Sequence, residues 1–238
     1  MDFHEFYRRL IEWLENINKS DNKDNIILEQ QFFEYDSNSQ KYSLNLENIH
    51  CFERIKYIFV ADNPGQQEQK NQKYLFYSDD KKWLKDHKSN AGVKFHKFAE
   101  RFNLKETEDY AIFNKCLLFT EQTSDLTADN IDSTKDFVVD FIKILLDFRK
   151  DLKIIFMGLD HRFDKKIYKP LLDYRENLLL IPHPCSSLYK HSKKAIITAE
   201  DKAINTFLSK WDKEKLLITI IRKLLGGDDG DSSSVGVR

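Results

Sequence analysis

Two runs in this 238-residue chain, Ile58-Phe59-Val60-Ala61 and Leu178-Leu179-Leu180-Ile181, are apolar at every position, and two residues beyond each stands a polar residue set directly before a proline. A strand with one wet face alternates apolar and polar residues, whereas a strand buried on both faces does not. Such runs therefore predict a mostly parallel sheet covered by helices on both sides. Three of the four prolines fall at the two run ends, in Asp62-Asn63-Pro64-Gly65 and Pro182-His183-Pro184-Cys185-Ser186-Ser187. Proline confines the preceding residue to extended backbone, so Asn63 and His183 are expected to sit rigidly at strand ends. In open α/β sheets the crevice beyond the carboxyl ends of the strands is where ligands bind, which gives both junctions a common destination.

The rest of the chain reads as alternating helices and strands. Phe3, Phe6, Tyr7, Leu10, Ile11, Leu14 and Ile17 recur at three- and four-residue spacing and predict an amphipathic helix over 3–18. Residues 18–25 are turn-like, and 30–48 show no firm period. Strands are expected at Ile55 to Ala61, at Tyr110 to Phe113 ending on Asn114, at Leu152 to Met157 stopping at Gly158, and at Leu178 to Ile181. Helices are expected at 91–102, 134–149, 162–174, 193–211 and 213–225. The alternation predicts an α/β class, a three-layer α/β/α sandwich around a central mostly parallel sheet. Residues 1–225 read as a single domain, and the Gly-, Ser- and Asp-rich 226–238 as a disordered tail. The long polar stretch from Gln66 to Asn90, dotted with aromatics, is of the kind that carries function.

Composition excludes several classes. No run approaches the roughly 20 apolar residues that span a bilayer. The first residues, Met1-Asp2-Phe3-His4-Glu5, lack a basic stretch followed by an apolar one, so the expected address is cytoplasmic. Cys51, Cys116 and Cys185 are too few and too scattered for a disulfide framework, a four-cysteine metal site or an iron–sulfur cluster, and reduced thiols are expected. Neither a phosphate-binding loop nor a dinucleotide glycine fingerprint follows the first strand, which argues against a nucleotide-cofactor oxidoreductase. The formal net charge of −1 says little about partners, but Tyr189-Lys190-His191-Ser192-Lys193-Lys194 places positive charge directly after the His183 junction.

Ala61-Asp62-Asn63-Pro64-Gly65 resembles the first motif of the uracil-DNA glycosylase superfamily, and His183-Pro184-Cys185-Ser186-Ser187-Leu188 resembles the second. The likeness covers roughly Lys56 to Ala195 and lies nearest the mismatch-specific, single-strand-selective and thermostable bacterial branches, without an iron–sulfur cluster. It implies a DNA partner, a monomer, no metal and no cofactor. It implies that Asn63 orients the hydrolytic water, with Asp62 as the rival that could supply basicity, since an amide is no general base near neutral pH. His183 would donate toward the carbonyl oxygen of the leaving base, where negative charge accumulates. Gly65 belongs to the base-contacting first motif. Asn114, in Ile112-Phe113-Asn114-Lys115-Cys116, resembles the strand-end asparagine that reads the base edge, and Phe76 the aromatic on which the base stacks, with Tyr74 and Tyr77 as rivals. Ser186 and Ser187 would grip phosphates beside Lys190, and Leu188 or Tyr189 would fill the hole left by the flipped base. Cys185 and Ala61 depart from the usual serine and glycine.

The expected reaction is hydrolysis of the N-glycosidic bond of uracil or a related modified base. With no lysine at the motif positions that would suggest a Schiff-base nucleophile, strand cleavage is not expected. The alternatives are a glycosylase-like module that binds nucleic acid or a modified base without efficient hydrolysis, and an unrelated α/β protein whose proline turns are only structural.

Overall fold

A computed structural model describes residues 1–28, 31–64, 95, 99–100, 103–120, 125–158 and 161–181. Asp2 opens the first helix, α1 (Phe3–Asn18), by accepting a hydrogen bond from the Glu5 amide. Phe6, Leu10, Trp13, Leu14 and Ile17 form its buried stripe. The region without a readable period holds an antiparallel hairpin, β1 (Phe33–Asp36) with β2 (Lys41–Leu44), in which Phe33 pairs Leu44 and Asp36 pairs Lys41. Strands of four residues are too short for alternation to stand out in sequence.

Four parallel strands follow: β3 (Tyr57–Ala61), β4 (Tyr110–Asn114), β5 (Lys153–Met157) and β6 (Leu178–Ile181), in the order β4-β3-β5-β6. Ala61 pairs Asn114, Val60 pairs Phe156, and Met157 pairs Ile181, so all four strands finish in one row along the same edge. From β3 the chain moves to β4 on one side, and β5 and β6 are then added on the other. The reversal of direction lies between β3 and β5, and the crevice of such a sheet opens at this switch point.

Between β4 and β5 runs α2 (Ala128–Phe148). It begins six residues before the apolar pattern suggests, because Thr127 and Asn130 form a reciprocal capping box. α1 lies against α2, with Trp13 Nε1 donating to Phe137 O at 2.7 Å and Arg9 pairing Asp147 at 2.9 Å. The sheet buries apolar side chains on both faces. Ile58, Val60, Ala111, Phe113, Ile154 and Phe156 join α1, α2 and the hairpin in one core. Phe59, Ala61, Ile112, Ile155 and Met157 form a second core with Phe95 and Ala99, whose backbone is helical.

The connection from β5 to β6 is not the single helix expected over 162–174. It is a succession of short turns, His161–Phe163 and Lys169–Asn177 of 3-10 type and Asp164–Tyr168 of π type. Pro170 lacks the amide hydrogen an α-helical ladder needs there. Among the described residues, no helix is long and apolar enough to cross a membrane.

Candidate functional site

The parallel ladder continues past the last strand residues. Lys115 N donates to Ala61 O at 2.8 Å and Cys116 N to Asp62 O at 2.9 Å, which binds the turn after β3 to the chain leaving β4. Asn63, half-buried in this turn, donates from Nδ2 to Thr120 Oγ1 at 2.9 Å and to the Pro64 carbonyl at 3.0 Å. Two acceptors on one amide nitrogen set the plane of the carboxamide. On the neighbouring strand Asn114 is 2% exposed, and its Oδ1 is buried with no hydrogen-bond partner among the described residues. Both asparagines thus lie at carboxyl strand ends, and the structure makes those strands neighbours.

Asp62 behaves differently from its neighbour. Its Oδ1 lies 2.5 Å from Nζ of Lys115, a side chain of 0% exposure. The contact is ionic, since Oδ1 accepts no aligned hydrogen bond. The same ammonium donates to Met157 O at 2.8 Å and Gly158 O at 3.2 Å, stands 3.5 Å from the Tyr168 hydroxyl, and lies 4.8 Å from the centre of the Phe163 ring. Gly158 has φ 90°, a left-handed conformation that glycine adopts without strain and that turns the chain as β5 ends. Strand alternation explains the pairing. Phe113 and Val60 face the larger core, and Lys115 and Asp62, two residues further along β4 and β3, take the same side.

Lys115 is the residue that sequence reasoning passed over. A signal existed: within Tyr110 to Leu118 only Asn114 and Lys115 are not apolar. A lysine in such a run is buried, and a buried charge must be paired. What could not be read was the partner, which lies more than fifty residues away on another strand.

The Cys116 thiol, next along the chain, is pushed up by burial and is no ready nucleophile at neutral pH. Among the described residues, no cluster of three or more His, Cys, Asp or Glu could hold a metal ion. A groove of about 610 Å³ between α1 and the hairpin, lined by Tyr7, Ile11, Leu14, Tyr42, Leu44 and Leu46 among others, shares no residue with the strand-end row. Gly65, Phe76, Tyr74, Tyr77, His183, Cys185, Ser186, Ser187, Leu188, Tyr189 and Lys190 lie outside the described residues, as do the expected helices over 193–211 and 213–225 and the tail. The strand that leads to Pro182 and His183 does end in the same row as Ala61 and Asn114. No protein-family model matches this chain, and no curated protein is significantly similar to it in sequence.

Proposed function

We propose that this chain is a monofunctional DNA glycosylase of the uracil-DNA glycosylase type, a three-layer α/β/α sandwich that takes a flipped uracil or related base and hydrolyses its N-glycosidic bond. The observation that carries this reading is the pair Asn63 and Asn114 on adjacent strand ends, with Asn114 Oδ1 buried and unpartnered among the described residues. A buried acceptor left unpaired is unfavourable by about 1–3 kcal/mol, so its persistence at a crevice points to a donor that arrives with a ligand. The imide N–H of uracil is such a donor.

The ion pair between Asp62 and Lys115 supports Asn63 as the residue that orients the water. The Asp62 carboxylate is engaged by the fully buried Lys115 ammonium, whereas Asn63 has its carboxamide plane set by Thr120 and Pro64. Catalysis then rests on orientation and on stabilising the departing anion, the latter assigned to His183. Phe76 stacks on the base and the segment from Ser186 to Lys190 holds the phosphates and fills the vacated stack. Among the described residues, the lysine nearest this row, Lys115, is sealed from solvent, which supports hydrolysis that leaves an intact abasic site.

The second reading, a module that binds a modified base without hydrolysing it, is favoured by that same ion pair, which occupies the carboxylate at the first junction. Base release from single- and double-stranded oligonucleotides carrying uracil, read by alkaline cleavage, separates the two. Under the glycosylase reading the wild type releases base, and Asn63→Ala and His183→Ala each lower the rate by about 10²–10³-fold. Binding with no release selects the module, and neither binding nor release removes both.

A further inference from the structure

We infer that Lys115 is a positioning residue that sets the geometry of Asn63 through Asp62. Its ammonium touches the ends of both β3 and β5 while its own backbone continues β4: it meets Asp62 Oδ1, Met157 O and Gly158 O within 3.2 Å. These contacts lie at the boundary between β3 and β5, where the sheet reverses its direction of growth and the crevice opens.

Three contacts with described residues hold the turn Asp62-Asn63-Pro64. The Asp62 carbonyl accepts from the Cys116 amide, the Asp62 carboxylate is drawn to Lys115, and the Asn63 carboxamide donates to Thr120. Two of these anchors belong to Asp62, and its side chain is committed to the core side of the sheet. The next side chain leaves the backbone in another direction, so fixing Asp62 fixes what Asn63 presents. Phe163 and Tyr168 close the other side of the ammonium and leave it no path to solvent. In such surroundings a charge without its partner is unfavourable, and the arrangement is therefore held tightly. Lys115 acts through Asp62 and touches no reacting atom.

The test uses the full chain with Lys115→Met, and with Asp62→Asn as a near-isosteric break of the same pair from its less buried side. The first readout is the Asn63 side-chain amide signal in an ¹⁵N-correlated NMR spectrum, identified by its loss in Asn63→Ala. Positioning predicts that its hydrogens exchange at least about tenfold faster in either variant and that its shift moves toward that of a solvated asparagine. The second is single-turnover base release from a uracil oligonucleotide, where kcat falls about 10- to 100-fold while KM stays within about threefold. An Asn63 signal unchanged in both variants overturns the inference, as does wild-type kcat in a folded Lys115→Met. If Lys115→Met fails to fold, Asp62→Asn decides by the same two readouts. The kinetic arm rests on the glycosylase reading and the spectroscopic arm does not: altered Asn63 exchange without base release even from wild type sustains the positioning role and removes the proposed activity.

Discussion

Asn114 and Asp62 each carry a cost that the rest of the fold must offset. Burying a carboxamide at 2% exposure with its oxygen unpartnered among the described residues works against folding, and a leucine of similar size has no polar atom to leave unsatisfied. Asn114→Leu is accordingly expected to hold or raise stability in urea denaturation and, under the proposed glycosylase reading, to abolish affinity for a uracil-containing strand; loss of both together would mark Asn114 as structural. Asp62→Ala removes the carboxylate that Lys115 meets at 2.5 Å, and breaking such a buried pair costs about 3–5 kcal/mol. Asn63→Ala, in a half-buried turn, costs about 1 kcal/mol. Denaturation midpoints check this order, and an Asp62→Ala variant as stable as Asn63→Ala would contradict the ion pair. The difference matters when activity is read, because an inactive Asp62→Ala protein reports a disturbed scaffold before it reports lost chemistry.

At the scale of elements, α2 carries the connection between β4 and β5, and its start is decided by local chemistry instead of by the apolar pattern. Thr127 Oγ1 accepts from the Asn130 amide at 3.1 Å, and the Asn130 side chain accepts from the Thr127 amide at 2.9 Å. Thr127→Ala removes one half of this exchange and is expected to lower stability by about 1 kcal/mol. Thr127→Ser restores most of it, and equal losses in the two variants would assign the effect to the methyl group. The run from 161 to 177 makes the opposite point. Its composition suits a helix, but Pro170 removes one amide hydrogen and the segment settles into 3-10 and π turns that deliver Phe163 and Tyr168 to the Lys115 ammonium.

For the whole molecule, the clearest pH signature comes from the edge of the sheet opposite the strand-end row. Glu106 pairs Tyr110, the first residue of β4, and burial raises its carboxyl to about 7. A carboxyl whose folded pKa exceeds its unfolded value binds its proton more tightly when folded. Its contribution is therefore fully present below about pH 4.5 and is lost as the pH rises toward 7. The loss is of the order of 1–3 kcal/mol. Unfolding free energies between pH 4.5 and 7 measure this slope, and Glu106→Gln is expected to flatten it; an unchanged slope would assign it to another group. Because Glu106 lies a full strand length from Asn114, the same substitution leaves the strand-end row intact.

The sequence by itself determined the class of fold, because strands buried on both faces must be apolar throughout and so declare themselves without knowledge of their neighbours. It likewise placed Asn63 and Asn114 at strand ends, since a strand buried on both faces ends where polar groups begin. The hairpin stayed hidden because four-residue strands carry too little periodicity, and the early start of α2 because a capping box lies outside the apolar stripe. Only the tertiary structure decided that the two asparagines share one edge, and that the carboxylate beside Asn63 belongs to Lys115. Strand order and register bring those groups together across more than fifty residues, and the energy of a charge pair depends on separation in space and on the dielectric around it, neither of which is written in the order of residues along the chain.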